Sequence, residues 1–435
     1  MEQHVVLRLA STDAGFEQKF RELLAGKREV SEDVDQIVRE ILEKVRLDGD
    51  SALLDYTAKF DRLKAASMAE LTVSEAQIEA ALAEVPAQTL EALQLAHDRI
   101  LAHHARQLPK DDRYTDPLGV ELGSLWTAVE AVGIYVPGGL ASYPSSVLMN
   151  AVPAKVAGVE RIVMVVPSPD GILNPLVLAA AKIAGVTEIY RIGGAQAVAA
   201  LAYGTETIAP VAKIVGPGNA FVAAAKRRVF GVVGIDMIAG PSEVLILADE
   251  ANSPDWIAAD LLAQAEHDTA AQSILITDSA TLADDVEKSV EAQLQTLPRE
   301  DVARASWQDF GAIILVDDLE AAMPLANRIA PEHLELAVDD PEALLKKVRN
   351  AGAVFLGHYT PEAIGDYVGG SNHVLPTARS ARFSSGLSVL EFVKRTSILK
   401  CNPDNLRALG PAAIALGESE GLSAHARSVS IRLNL

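Results

Sequence analysis

The sequence predicts an α/β fold with two related lobes, each built on a parallel β-sheet and covered by helices. From about residue 132 to residue 383, short apolar runs alternate with Gly/Pro turns and Ala-rich helical segments, which is the rhythm of βαβ units. Aromatic residues make up only 5% of the chain, so its cores must consist mainly of Ala, Val, Leu and Ile, as in buried parallel sheets. At 435 residues the chain is also too long for one core, and two or more lobes are expected.

The first hundred residues predict helices. Apolar residues recur at spacings of three and four from Val34 to Val45, Ser31 is suited to cap this helix, and Gly49 is placed to end it. A second helical stretch is predicted from about Ser74 to Gln107.

Two Rossmann-like sets of strands and helices follow. The first set has predicted strands at 161–166, 188–192 and 213–215, with helices at 174–184 and 195–203 and another after residues 216–219. The second set has predicted strands at 243–248, 273–277 and 312–316, with a helix at 254–267. From about residue 387 the rhythm gives way to a small helical appendage with a polar tail.

These patterns predict four parts of the chain. Residues 1–29 form an N-terminal helical extension, and residues 387–435 form a C-terminal helical tail. One α/β lobe combines residues 30–134 with residues 241–386, and residues 135–240 form the second lobe.

Composition excludes several classes of partner. The formal net charge of −21 leaves no basic surface for nucleic acid. No uninterrupted apolar stretch is long enough to span a bilayer, and the N-terminus lacks the pattern of a signal peptide. The one cysteine, Cys401, cannot form an internal disulfide, which favours a reducing compartment. We therefore expect a cytoplasmic protein without nucleic-acid or membrane partners, and a structural role for Cys401.

Two short segments place a carboxylate beside an imidazole: Gln264-Ala265-Glu266-His267 and Pro331-Glu332-His333. Two other histidines, His373 and His425, also lie in polar, patterned segments of the C-terminal half. This distribution indicates a metal and proton-transfer centre assembled from distant parts of the chain.

Each candidate also has an ordinary structural role open to it. Gln264 and His267 share one face near a helix end, and spacing alone favours a capped helix over half of a metal site. Asp366 and His373 flank a glycine-rich loop that could equally well be a surface loop. Polar tails such as the one around His425 are usually just solvated.

The evidence for a dinucleotide site is weak when the residues are taken alone. The turn Gly216-Pro217-Gly218-Asn219 precedes a helix, and helix N-termini bind phosphates. However, no GxGxxG follows a predicted strand, and a Gly-Pro-Gly turn is commonly only a turn.

Several longer segments, in register along nearly the whole chain, resemble the histidinol dehydrogenase family. Residues 235–245, followed by 260–267, look like its signature, and five further segments agree with it: Gly133-Ile134-Tyr135-Val136-Pro137-Gly138-Gly139, Gly193-Gly194-Ala195-Gln196, Gly216-Pro217-Gly218-Asn219-Ala220-Phe221, Pro331-Glu332-His333-Leu334-Glu335 and Ser371-Asn372-His373-Val374-Leu375-Pro376. The pair Ala378-Arg379 departs from the family, which often has glycine at this turn.

The resemblance implies an activity and a set of site residues. The family oxidises L-histidinol through L-histidinal to L-histidine, the last steps of histidine biosynthesis, and reduces two NAD. By resemblance, one Zn²⁺ per subunit is held by Gln264, His267, Asp366 and His425. The resemblance also implies that these four residues contact the substrate, together with Ser242, His333, His373 and Glu420. The family's acid–base pair corresponds to Glu332 and His333, and its NAD contacts correspond to Tyr135, Gln196 and Asn219.

The resemblance further implies a homodimer in which the C-terminal tail completes the partner's active site. The lobe of residues 30–134 and 241–386 would then carry the zinc and catalytic residues, and residues 135–240 would carry the NAD side. Two other classes stay open at the level of sequence. One is a zinc hydrolase in which Glu332 activates water, and the other is a two-lobed binding protein, against which the missing signal peptide argues.

Overall fold

Fourteen strands organise the part of the chain that the structure describes, which is residues 6–26, 32–138 and 143–434 of a computed structural model. The strands are β1 (Leu7–Ala10), β2 (Asp112–Thr115), β3 (Glu121–Ala128), β4 (Ala131–Tyr135), β5 (Arg161–Val165), β6 (Glu188–Tyr190), β7 (Lys213–Val215), β8 (Gly234–Ile235), β9 (Glu243–Ala248), β10 (Gln272–Thr277), β11 (Ala312–Leu315), β12 (His333–Ala337), β13 (Ala353–Leu356) and β14 (Val393–Lys400).

Seventeen α-helices lie within the same described ranges. They are α1 (Phe16–Ala25), α2 (Glu32–Phe60), α3 (Met68–Leu71), α4 (Glu75–Glu84), α5 (Ala87–Ala105), α6 (Pro144–Val156), α7 (Pro175–Ala184), α8 (Gly194–Tyr203), α9 (Ala220–Val229), α10 (Pro254–Ala265), α11 (Ala280–Leu294), α12 (Glu300–Phe310), α13 (Leu319–Ile329), α14 (Pro341–Leu345), α15 (Glu362–Tyr367), α16 (Pro403–Ser419) and α17 (Ser423–Ser430). None of the helices in these ranges has the length and apolarity needed to span a membrane.

The first sheet, called sheet 1, has six parallel strands in the order β1-β11-β10-β9-β12-β13. Its central strands β9, β10 and β12 are buried along their whole length, as expected when helices cover both faces. Helices α10, α11 and α12 pack in the core on one face, while α1, α13 and α14 pack in the core on the other.

The second sheet, called sheet 2, has five parallel strands in the order β6-β5-β4-β7-β8. Helices α4, α5, α6 and α7 share one core with it, and α2, α8 and α9 share the core on its other face. Two helix-covered parallel sheets confirm the predicted fold class, and most predicted strands and helices are present to within a few residues.

The helices before residue 106 pack differently from the predicted grouping. The apolar stripe of α2 is buried against α8 and α9, while α4 and α5 lie against α7 and α6. Residues 32–105 therefore cover sheet 2, whereas the sequence predicted that residues 30–134 join the lobe of residues 241–386. The spacing of apolar residues shows which face of a helix is buried, but it does not show which sheet covers that face.

Both ends of the chain contribute strands as well as helices. Strand β1 pairs with β11 at the edge of sheet 1, so the N-terminal part is not only helical. Strand β14 pairs with β3 in a small antiparallel sheet of β2, β3 and β14, so the C-terminal part is not only helical. These strands are short or largely exposed, so they lack the apolar runs that mark a buried strand.

Proline and glycine account for two breaks among the N-terminal helices. The stretch predicted as one helix from Ser74 to Gln107 is two helices, α4 and α5, with Pro86 between them. Gly49 has a non-helical conformation (φ 51°, ψ −129°), so it does interrupt α2 as predicted. The predicted cap Ser31 lies outside the described residues.

A close backbone approach requires glycine at residue 216, directly after β7. Gly216 has φ +108°, and a Cβ atom there would lie 2.2 Å from the carbonyl oxygen of Tyr135 at the end of β4. Gly231 has a similar φ of +103°, yet a Cβ atom there would meet nothing within 4 Å. The two glycines therefore form a matched pair.

We expect Gly216→Ala to lower the free energy of unfolding more than Gly231→Ala does. Both substitutions place a side chain at positive φ, but only the first forces β4 and β7 apart, which adds about 1–3 kcal/mol of strain. Urea denaturation of both variants and the parent measures the difference. Equal losses for the two variants would contradict the steric explanation.

Candidate active site

A cavity of about 550 Å³ lies between the two large sheets. Sheet 2 contributes the turns at the carboxyl ends of its strands, including residues 216–219. Sheet 1 contributes residues at the amino ends of β9 and β12, namely Ser242, Glu332 and His333. His267, Asp366 and His373 also line the cavity. Most of the predicted catalytic and metal-binding residues therefore meet in one place.

His333 is held in one tautomer by the backbone of β9. Its Nδ1 lies 3.0 Å from the carbonyl oxygen of Glu243, and a carbonyl only accepts, so Nδ1 carries the proton. Burial lowers the pKa of His333 to about 3, so the ring is neutral near pH 7. The lone pair on Nε2 has no hydrogen-bond partner among the described residues, and Nε2 lies 3.8 Å from Asp366 Oδ1. The ring is therefore oriented to accept a proton through Nε2.

Glu332 is fixed by the same stretch of backbone. Its Oε2 accepts a hydrogen bond from the Glu243 N–H at 3.0 Å and lies 3.9 Å from His333 Nδ1. Burial raises the pKa of Glu332 well above its usual value, and the nearby negative charge of Glu243 raises it further. A carboxyl group of this kind can hold a proton and pass it on, as a general acid or base does.

The side chains predicted to hold a metal are of the right chemistry. Gln264, in the last turn of α10, is fully buried, and neither atom of its amide has a hydrogen-bond partner within the described residues. Leaving a buried amide unpaired is costly, and coordination of a metal through the amide oxygen would offset part of that cost. His267 follows one turn later, and Asp366 lies near the end of α15. Nitrogen and oxygen donors of these types fit Zn²⁺.

Protein surroundings also shift the pKa values of two predicted metal ligands, Asp366 and His267, and of the predicted substrate contact His373. Burial raises the pKa of Asp366 to about 6 and lowers the pKa of His373 to about 4. Desolvation by the surrounding protein also lowers the pKa of His267. The residue as a whole is exposed, and it lines the cavity. Both histidines are thus kept neutral, and for His267, the predicted metal ligand, this is the form that binds a metal.

The C-terminal residues do not reach the cavity of their own chain. Glu420 follows α16 and His425 lies in α17; both are exposed, and neither lines the cavity. The structure therefore brings Ser242, His267, Glu332, His333, Asp366 and His373 together around the cavity, with Gln264 buried one turn before His267, but not Glu420 and His425.

Of the three predicted NAD contacts, only Asn219 lines the cavity. Its side chain accepts hydrogen bonds from the N–H groups of Phe221 and Val222 and so caps α9. Tyr135 and Gln196 are buried, and the Tyr135 hydroxyl oxygen accepts from the Gly194 N–H at 3.0 Å. Tyr135 therefore ties the end of β4 to the start of α8.

A separate trio of potential metal ligands lies away from this cavity. Asp249, Asp339 and His358 follow the carboxyl ends of β9, β12 and β13. They are already linked, since His358 Nε2 lies 3.2 Å from Asp339 Oδ1 and the Asp339 N–H donates to Asp249. None of the three was predicted as a ligand, and mutual hydrogen bonding accounts for their proximity.

Comparison with known proteins identifies the family. The model of the family described as "Histidinol dehydrogenase" matches residues 25–433 of this chain. The chain belongs to the histidinol dehydrogenase family. A histidinol dehydrogenase of Brucella suis is 72% identical over 99% of this chain and 100% of its own length, and that of Bradyrhizobium diazoefficiens is 71% identical over 99% of each.

A solved histidinol dehydrogenase has the same fold. The crystal structure of the enzyme from Elizabethkingia anophelis superposes with a TM-score of 0.94, at 37% identity, over 100% of this chain and 99% of the other. Family membership therefore rests on both sequence and architecture.

In this member of the histidinol dehydrogenase family, buried carboxyl groups behind His333 were not predicted from the sequence. Glu362 Oε2 lies 3.7 Å from His333 Nδ1, and the Glu362 N–H donates to Glu335 Oε1 at 2.7 Å. Burial raises the pKa of both glutamates well above the usual value, and Asp260 beside Glu335 raises the pKa of that residue further. Glu335 lies in the middle of the buried strand β12. A charged residue inside an otherwise apolar strand was the sequence signal that could have indicated these carboxyl groups.

The turn at Ala378-Arg379, where the resemblance led us to expect glycine, adopts an unusual conformation for residues that carry a side chain. Ala378 has φ 52° and Arg379 has φ 62°. The Ala378 N–H donates to Glu243 Oε1 at 3.2 Å, and Arg379 Nε donates to the Arg328 carbonyl at 3.1 Å. These contacts hold residues in a region that favours glycine.

Proposed function

We propose that this member of the histidinol dehydrogenase family is zinc- and NAD-dependent and oxidises L-histidinol through L-histidinal to L-histidine. The overall change removes four electrons, reduces two NAD and completes histidine biosynthesis. The observation that supports this most directly is the orientation of His333. Its neutral ring presents Nε2, which has no hydrogen-bond partner among the described residues, to a cavity that is also lined by the Glu332 carboxyl group and by His267 and Asp366, two of the proposed metal ligands.

Gln264, His267 and Asp366 would hold the zinc from this chain, with His425 supplied by a second copy. When bound, the metal would orient the imidazole and amine of the substrate. Ser242 and His373, which line the same cavity, would contact the substrate beside it. His373 reaches towards α6 on the sheet 2 side, where its Nε2 is 3.5 Å from the Ser146 hydroxyl.

His333 would act as the general base in both oxidations. In the first, Nε2 takes the hydroxyl proton of histidinol as the carbon-bound hydrogen leaves as hydride. Asn219, which lines the cavity, would help to hold NAD, and this cofactor would supply the hydride acceptor for both oxidations. Glu332 would then remove a proton from the water that adds to the aldehyde, while the protonated His333 would return its proton to the aldehyde oxygen. With Nε2 free again, His333 would take a hydroxyl proton of the resulting hydrate in the second oxidation. General acid–base groups of this kind contribute about 10²- to 10⁴-fold each.

The exposed C-terminal residues support a shared site in a homodimer. Glu420 would bind the substrate and His425 would complete the metal site of the partner. Both residues lie outside the cavity of their own chain, so a second copy would have to supply them. A cytoplasmic location, suited to a biosynthetic enzyme with a single free cysteine, forms part of the proposal.

Histidinol and NAD should together produce NADH, detected by its absorbance. Prolonged treatment with a chelator should abolish the activity, because the buried ligands would lose the metal, and added Zn²⁺ should restore it. Replacing NAD with buffer is the control. Cleavage of amide or ester substrates without NADH formation would instead support a zinc hydrolase.

His333→Asn should lower kcat for histidinol oxidation by about 10²- to 10⁴-fold, because the amide cannot accept the proton. The zinc content of the variant should match that of the parent. His97→Asn serves as the control and should leave kcat unchanged, because the side-chain hydrogen bonds of His97 within the described residues go to Gln94 and Asp98 of the same helix, α5. Turnover by His333→Asn within a few-fold of the parent would exclude the proposed base.

Mixed dimers test the shared site. His333→Asn and His425→Asn subunits should each be inactive alone. A purified heterodimer of the two should recover roughly half of the parent activity, because one of its two sites receives an intact lobe and an intact tail. If each site were built from one chain, the heterodimer would have two defective sites and no activity.

A further inference from the structure

The turn that follows β7 is held by a buried ion pair. Lys226 of α9 and Asp236, which follows β8, form this pair with side chains only 2% and 1% exposed. Lys226 Nζ also donates to the carbonyl oxygen of Gly216 at 2.9 Å, and Asp236 Oδ2 accepts from the Gly216 N–H at 2.8 Å. Both backbone polar groups of Gly216 therefore form hydrogen bonds with the same ion pair.

The packing of α9 does not explain why charged side chains occupy these two buried positions. Lys226 lies among buried alanines and valines of α9, where an apolar side chain would pack without the desolvation cost of two charges. The neighbouring Arg228 behaves in the ordinary way, since it is partly exposed and pairs with Asp35 of α2. The role of the buried pair must therefore lie in the turn that it contacts.

The turn occupies the topological switch point of sheet 2. The chain proceeds from β4 to β5 and β6 on one side and then to β7 and β8 on the other. In open parallel sheets, ligands bind in the crevice outside the carboxyl ends of the two strands at this point. Residues 216–219, which we call the cofactor turn, lie there and line the cavity together with Asp236.

We propose that Lys226 and Asp236 are positioning residues for the cofactor turn. They fix the peptide groups around Gly216 so that the start of α9, with Asn219 as its cap, faces the dinucleotide. Lys226 also neutralises Asp236, which would otherwise place an uncompensated negative charge beside an anionic cofactor. This inference rests on the proposed NAD dependence.

Direct titration with NADH, followed by its fluorescence, tests the inference on the full-length, metal-loaded protein. Lys226→Met should raise the Kd for NADH and the KM for NAD roughly 10- to 100-fold, by analogy with the loss of affinity when a group that orients a metal ligand is removed. Asp236→Asn should raise the Kd for NADH and the KM for NAD less than Lys226→Met does, because it leaves no negative charge at residue 236 beside the cofactor. The KM for histidinol and the zinc content should stay within about two-fold of the parent in both variants.

Arg228→Met is the matched control, because it removes an exposed ion pair from the same helix without touching the turn. Its Kd for NADH should stay within about two-fold of the parent. If Lys226→Met fails to fold, the double variant Lys226→Met/Asp236→Leu replaces the buried pair with apolar side chains and should fold, but it should bind NADH as weakly.

Folded variants that lack the pair yet bind NADH as tightly as the parent would overturn the inference and leave the proposed function intact. A parent protein that oxidises no histidinol and binds no NADH would overturn both. An equal rise in the KM for histidinol and for NAD would show a general loss of structure and would also count against a specific positioning role.

Discussion

The backbone of one residue, Glu243, determines how the proposed acid–base pair, Glu332 and His333, is oriented. Strands β9 and β12 run parallel with His333 opposite Val244. Glu332, directly before β12, and His333, its first residue, therefore lie beside Glu243. The Glu243 N–H donates to the Glu332 carboxylate, and its carbonyl oxygen accepts from His333 Nδ1. The pairing of two buried strands therefore sets the tautomer of the histidine, and the burial that this pairing imposes keeps the ring neutral.

On the opposite wall of the cavity, hydrogen bonds between backbone and buried side chains also fix the geometry, here at Gly216. There, two buried side chains hold the N–H and the carbonyl group of one glycine. Sheet 2 presents the carboxyl ends of its strands, in agreement with the general rule for open parallel sheets. Sheet 1, in contrast, presents the amino ends of β9 and β12. The cavity thus combines opposite edges of two similar sheets, and the proposed acid–base pair lies at the edge that the rule would not select.

Sequence patterns predicted the parallel sheets because short, continuous apolar runs bounded by turns, such as β9 and β10, are typical of strands buried on both faces. They did not assign α2 to its sheet, nor detect β1 and β14, because those assignments depend on partners distant in sequence. Spacing alone left Gln264 and His267 as a helix cap, and only the resemblance to a family grouped them with Asp366. The buried partners Glu335, Glu362 and Lys226 were missed, since a single charged residue in an apolar run shows neither its depth nor its neighbours.

The pair of Lys226 and Asp236 also restricts how this protein can evolve. Loss of either member alone leaves a charge without compensation in the interior, which typically costs about 3–5 kcal/mol, a large part of the stability of a domain. A lineage can therefore abandon the pair only through near-simultaneous replacement of both, or after other changes have added stability in advance. Residues 226 and 236, which lie in separate elements of the chain, are thus expected to change together during evolution.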